Sequence, residues 1–273
     1  MSSGSPLDAS PGLTREQQAF YQNNGYVLCK GLLTRQEAAA LRREAHELAQ
    51  RLARFRNIEV VWTTVRQTNT VVQNCHDVQF YSAIFTRLLV DPRLTAAARS
   101  ILGPNVQLHH TKMFIKPPEK GAPFPMHQDY PYFPHQNDSM IAAIIHFDDA
   151  PLEKGCVRVI PGSHKLGPLP ATAADHSLPH DKYPIEKATP CPAEAGDVLF
   201  FSYLTIHGSG MNTSGEARTT LLVQMRDPLD PPLSHAHESR GQGMMLAGVD
   251  PSCCTTKVIE KPVDQATVAN QPR

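Results

Sequence analysis

Between residues 111 and 225 the sequence is cut by turn-forming residues into short apolar, β-branched runs, and this texture restricts the fold more than any other feature. The runs are Thr111–Ile115, Met140–Phe147, Cys156–Ile160, Val198–Phe201 and Thr219–Met225. Between them stand Lys116-Pro117-Pro118, Pro161-Gly162-Ser163 and Ala195-Gly196-Asp197. Runs of this length between such punctuation read as strands. Many short strands with few helices among them predict a mainly β fold with flanking helices: a double-stranded β-helix, or cupin-like jelly roll, with its core over about 105–230.

The N-terminal part reads differently. Residues 1–12 are rich in Ser, Gly and Pro and are expected to be disordered, with residues 13–273 forming a single domain. Thr14-Arg15-Glu16-Gln17 has capping-box character and should open a short helix reaching about Asn24. Tyr26–Cys29 has strand composition, and Thr34-Arg35-Gln36-Glu37 opens a second helix carried to roughly Arg54. A β-like start at Ile58–Val61 and a helix from Pro92, stopped by Gly103-Pro104, follow. The segment 165–196 holds six prolines and is long for a connection, which gives it the character of a lid.

Composition narrows the function. Of 273 residues 41% are hydrophobic, enough for a core, and 26 basic side chains balance 26 acidic ones. Without a basic excess, nucleic acid and anionic membrane surfaces are poor partners, which leaves a small-molecule substrate. The six cysteines show no C-x-x-C spacing and two are adjacent, so reduced thiols are expected. No apolar run is long enough to span a bilayer, and the first residues resemble neither a signal nor a transit peptide, so the expected location is cytoplasmic.

The stretch Met126-His127-Gln128-Asp129 carries the first sign of chemistry. On a strand, residues two apart share a face, so His127 and Asp129 could hold one ion while Gln128 faces away. The alternative is a strand end with solvated polar groups. A third ligand must come from elsewhere, and of thirteen histidines His207 has the best setting, after the run Val198–Phe201 and before Gly208-Ser209-Gly210. Two histidines and one carboxylate on one face of a metal leave open positions, the arrangement of non-haem Fe(II) oxygenases. Eleven residues after His207, Arg218 starts an apolar strand. A buried guanidinium needs an anion, and a carboxylate co-substrate fits it as a bidentate partner.

With these residues in place the sequence resembles the phytanoyl-CoA dioxygenase family of Fe(II)/2-oxoglutarate oxygenases. The resemblance runs through HHTKMFIKPP, HQDYPYFPH, GCVRVIPGSHKLGPL, GDVLFFSYLTIHGSGMN and EARTTLLVQ, about 109–225, and continues more loosely into the N-terminal helices. It implies that His127, Asp129 and His207 bind iron and that Arg218 binds the far carboxylate of 2-oxoglutarate. Ser209 falls where the family has a further co-substrate contact, the alternative being a loop serine bonded to its own backbone. Lys112 could also face the co-substrate, whereas Gln73 reads as a solvated residue. The implied reaction consumes O2 and 2-oxoglutarate, releases succinate and CO2, and hydroxylates an aliphatic C–H bond of a small molecule or acyl-CoA-type substrate, with ascorbate as an optional reductant. Related halogenases replace the carboxylate ligand, and retention of Asp129 points to hydroxylation.

Other polar residues take plainer roles. His164 reads as a turn histidine held by backbone groups, and His109 and His110 are not expected to point inward together. His146 is either a core histidine or part of the pocket. Tyr130, Tyr132 and Phe133 suit pocket wall and core, with Tyr132 a candidate substrate contact. The rival reading is a jelly-roll metalloprotein that binds zinc and hydrolyses or merely holds a ligand, which leaves Arg218 without a role.

Overall fold

A computed structural model of the chain describes residues 10–54, 62–65, 70–119, 121–170, 176–234 and 238–254. The β-like start at 58–61 and positions 1–9 of the expected disordered segment lie outside these residues. Helix α1 (Arg15–Asn24) begins with a reciprocal capping box between Thr14 and Gln17 and ends at Gly25, whose φ of 78° is left-handed. Helix α2 (Arg35–Arg54) repeats the device: the Glu37 N–H donates to Thr34 Oγ1 (3.2 Å), and the Thr34 N–H donates to Glu37 Oε2 (2.7 Å). Helix α3 (Ala83–Leu89) was not apparent in the sequence. Helix α4 (Pro92–Leu102) places proline in its first turn, is capped by the Asp91 side chain, and ends at Gly103.

The strands are β1 (Tyr26–Cys29), β2 (Trp62–Val65), β3 (Thr70–His76), β4 (Val106–Lys116), β5 (Phe124–His127), β6 (Ile141–His146), β7 (Val157–Val159), β8 (Thr189–Cys191), β9 (Val198–Ser202), β10 (His207–Ser209), β11 (Arg218–Arg226) and β12 (Met245–Ala247). The larger sheet runs β1-β9-β6-β11-β4-β3-β2, with β12 against β4, and the smaller runs β5-β10-β7-β8. All the pairs are antiparallel, and the two sheets make the jelly roll.

Alternation divides the larger sheet into two faces. Its outer face, with Met113 and Ile115 of β4, Ile141, Ala143 and Ile145 of β6 and Leu221 and Val223 of β11, packs under Leu41, Leu48, Phe85 and Leu94 of the helices. The inner face turns toward the smaller sheet, where Ala142, Ile144, Leu199 and Phe201 meet Val157, Val159 and Cys191. The sandwich is thus apolar outside its large sheet and mixed within.

The segment 165–196 is less loop-like than expected. Among its described residues it contains β8, the end of the 3-10 turn Ser163–Leu166 and the 3-10 turn Ile185–Lys187, and Leu178 N donates to Met126 O (2.9 Å), which seats Ser177 beside His127. The four cysteines with described side chains, Cys29, Cys75, Cys156 and Cys191, are free and buried. No described helix is long and apolar enough to cross a membrane.

Gly196 ties the helical layer to the sandwich. Its N–H donates to His146 O and its carbonyl accepts from Leu33 N, both at 2.9 Å. At φ +100° an added Cβ would stand 2.2 Å from Leu33 O. Gly196→Ala should therefore lower stability by roughly 1–3 kcal/mol, read as a lower denaturant midpoint; an unchanged midpoint would contradict this account of the turn.

Candidate active site

Strands β5 and β10 pair so that His127 stands opposite His207. Each ring is fixed by its Nδ1, which lies 2.7 Å from Pro125 O in His127 and 3.0 Å from Thr205 O in His207. With Nδ1–H donated to a carbonyl, each Nε2 carries the lone pair and turns inward. Asp129 completes the group: its Oδ1 lies 3.5 Å from His127 Nε2 and 3.7 Å from His207 Nε2. The three ligand atoms lie within 4.8 Å of one another, a spacing that could hold one ion.

Asp129 does not arrive by strand alternation. β5 stops at His127, and Asp129 has a helical backbone (φ −77°, ψ −20°) at the head of the 3-10 turn Tyr130–Tyr132. The turn is pinned because the N–H groups of Asp129 and Tyr130 both donate to Tyr203 O, at 2.9 and 3.2 Å. Gln128 does face away, as expected, and is buried. Its amide donates to Leu204 O (2.6 Å) and Gly167 O (3.0 Å), and its oxygen accepts from Leu169 N (2.8 Å). Gln224 of β11, not singled out in the sequence, donates to Asp129 Oδ2 at 2.7 Å and leaves Oδ1 for the histidine side.

The electrostatics suit a cation. Burial raises the pKa of the Asp129 carboxyl, yet His207, His127 and the Gln224 amide together hold it below its ordinary range, so it is an anion. Burial, with His127 beside it, lowers His207 to about 4, so its imidazole is neutral and available as a ligand.

These groups line one end of a cavity of about 520 Å3. Its floor is the inner face of β4 and β11, where His110, Lys112 and Phe114 run beside Arg218, Thr220, Leu222 and Gln224. Arg218 is buried, and burial lowers it to about 10. Its Nη1 donates to Gly155 O, while its Nε has no hydrogen-bond partner. Ser209 lines the same region, and its Oγ accepts from Lys116 Nζ at 2.7 Å. Lys112 lies in the cavity over the Phe114 ring (5.2 Å), with Asp129 as the opposite charge acting on it. Gln73 stands on the other face of β3 from the cavity-lining Asn74 and His76.

The remaining candidates separate. Tyr132 lines the cavity with its ring edge-on to His127, and Phe133 lines it beside His110. Tyr130 packs on Tyr203 instead. His146 is buried outside the cavity lining, its Nδ1 3.2 Å from Asp197 O. His164 sits in a 3-10 turn with Nε2 3.2 Å from Gln22 O. His109 and His110 overturn strict alternation. A bulge opposite Gln224 and Met225 frees His109 from the ladder, and both rings lie against Phe133, at 4.7 and 5.5 Å.

The profile of the phytanoyl-CoA dioxygenase family matches residues 21–220, most of the chain and all three of these inward groups. The chain belongs to the phytanoyl-CoA dioxygenase family. It is thereby one of the iron- and 2-oxoglutarate-dependent oxygenases, whose chemistry uses Fe(II), 2-oxoglutarate and O2. The peroxisomal phytanoyl-CoA dioxygenase of Bos taurus is 29% identical over 238 residues, 79% of this chain and 69% of that protein. The ectoine dioxygenase of Bordetella parapertussis is 28% identical over 245 residues, 81% of this chain and 78% of that one. Among solved structures, the epimerase SnoN in complex with Fe3+, alpha-ketoglutarate and nogalamycin RO superposes with a TM-score of 0.65 at 26% identity, over 86% of this chain and 96% of that chain.

If the three groups hold one ion, His207→Ala should lose most of the affinity for Mn(II), read by its electron paramagnetic resonance signal, because the two that remain cannot cap one face of it. His164→Ala is the matched control and should bind the ion as the parent does. Unchanged binding in His207→Ala would remove His207 from the ligand set.

Proposed function

We propose that this protein is a hydroxylase that uses Fe(II), O2 and 2-oxoglutarate to oxidise an aliphatic C–H bond of a small molecule, with release of succinate and CO2. The observation that carries the reading is the placement of two complementary groups in one cavity. His127, Asp129 and His207 converge at one end, and the buried Arg218 stands at the other with no described carboxylate paired to it.

In this reading the three inward groups hold iron on one face, and Gln224 keeps the Asp129 carboxylate turned for the task. With iron and 2-oxoglutarate held there, O2 would supply the oxidising power, taking two electrons from 2-oxoglutarate as it becomes succinate and CO2 and two from the C–H bond, with ascorbate as an optional reductant. The protein's own work is placement. Arg218 takes the far carboxylate of the diacid in its fork, and Ser209 adds a hydroxyl. Lys112 is assigned to the metal end of the co-substrate, since it lines the cavity close enough to Asp129 for that carboxylate to favour its charged form against burial. Phe114, Phe124, Tyr132 and Phe201 form apolar walls that exclude water and hold the C–H bond of a compact substrate. A carboxylate in the ligand set favours hydroxylation over halogenation, which needs that position open for halide. A zinc hydrolase would use the triad but would leave a buried guanidinium without a purpose.

Arg218→Leu should leave Mn(II) binding intact and weaken 2-oxoglutarate binding by about 2–5 kcal/mol, the usual cost of removing one partner of a buried charge-assisted pair. Arg218→Lys should recover only part of it, because a point charge lacks the bidentate fork. Calorimetry with Mn(II) in place of iron reads binding without turnover. Equal affinity in the parent and Arg218→Leu would return the site to a generic metal-binding jelly roll.

A further inference from the structure

Arg218 is one of two buried cations at its end of the cavity. Lys116 ends β4 in direct register with Arg218 on β11, and it is fully buried. Its Nζ donates to Ser209 Oγ at 2.7 Å and to Gly210 O at 2.8 Å, and it lies over the Phe124 ring at 5.0 Å. Among the described residues no carboxylate forms an ion pair with either cation. Cys156 faces both, but burial pushes its thiol up, so it offers no anion at neutral pH.

Two like charges buried side by side oppose folding unless something compensates them. A methionine of similar length would fill the same space without that cost. Burial, with Arg218 adjacent, drives Lys116 well below the ordinary lysine range, which shows how unfavourable its charge is before an anion arrives.

The hydrogen bond to Ser209 gives the lysine a specific task. A serine hydroxyl has one proton to give and two lone pairs. Lys116 donates into Oγ, so the oxygen is engaged as an acceptor and its own proton is turned elsewhere. Ser209 lines the cavity with Arg218, so the open direction is the carboxylate end. The second bond, to Gly210 O, holds the same short segment from its other side. That segment continues directly from His207.

We propose that Lys116 is a positioning residue for the far carboxylate of the co-substrate: it turns the Ser209 hydroxyl into a donor aimed at that carboxylate and adds a second positive charge behind it. The inference rests on the 2-oxoglutarate reading of the cavity and assigns it a residue the reading did not use.

Lys116→Met, Ser209→Ala and the double variant should be titrated, in the Mn(II)-loaded protein, with 2-oxoglutarate and with oxalate. Oxalate can chelate the metal but has no distant carboxylate. Lys116→Met should weaken 2-oxoglutarate binding at least about tenfold, as expected for a lost hydrogen-bond system at a charged group, and leave oxalate affinity unchanged. In the Ser209→Ala background the same change should cost clearly less, because the lysine acts through the hydroxyl. Lys116→Gln, which keeps a donor but no charge, should fall between parent and Lys116→Met, and it carries the test if the Met variant does not fold. Parental 2-oxoglutarate affinity in the substituted proteins, or an equal loss for oxalate, would overturn the proposal and leave Lys116 a structural residue. Failure of the parent itself to bind 2-oxoglutarate would instead sink the oxoglutarate reading, and this inference with it.

Discussion

The antiparallel ladder between β4 and β11 sets the rest of the molecule. It pairs Lys116 with Arg218 at one end and His110 with Gln224 at the other, so a single register fixes both ends of the cavity. The register is enforced from the opposite face, where Met113, Ile115, Leu221 and Val223 are buried under the helices. A slip of one residue would exchange these apolar side chains for Lys112, Lys116 and Arg218 and put cations into the helix-facing core. Packing on the outside of the sheet therefore decides the chemistry on the inside.

The smaller sheet contributes the other half. β5 and β10 are only four and three residues long, yet their pairing places His127 against His207. Backbone carbonyls two residues upstream orient both rings, and Tyr203 O holds the turn that delivers Asp129. The polar groups are arranged by charge. The Asp129 anion, beside the neutral His207 and His127, stands at one end of the cavity, and Arg218 stands at the other with Lys116 next to it in the ladder and bonded to Ser209. A ligand that coordinates a cation at one end and presents a carboxylate at the other would satisfy both ends at once.

Much of this was legible in the sequence, for identifiable reasons. Strands with continuous apolar runs, such as β6, β9 and β11, carry a signal that survives without tertiary context, and so do the capped helices α1, α2 and α4. β5, β8 and β10 do not, because three or four residues are too few to show a period and their pairing depends on partners far away in sequence. The H-x-D spacing singled out two residues that the structure does bring together, but by another geometry: a turn held by Tyr203, not a continuous strand, brings Asp129 beside His127. The bulge at His109 has no sequence signal, because it depends on the register against β11 and not on the residues of β4 alone. In one dimension Lys116 reads as part of a Lys-Pro-Pro turn signal, and nothing there shows that its amine reaches Ser209 beside Arg218. Gln224 was hidden in an apolar run, where a single amide reads as an outward-facing residue.

The central claim is that the histidine–carboxylate group and the cationic end of the cavity serve one metal-chelated diacid. Its most direct test is anaerobic addition of Fe(II) and then 2-oxoglutarate to the parental protein, observed by visible absorption. A charge-transfer band that forms only when both are present, and that does not form with succinate in place of 2-oxoglutarate, is the predicted result. Fe(II) binding with no new band on adding 2-oxoglutarate would contradict the account.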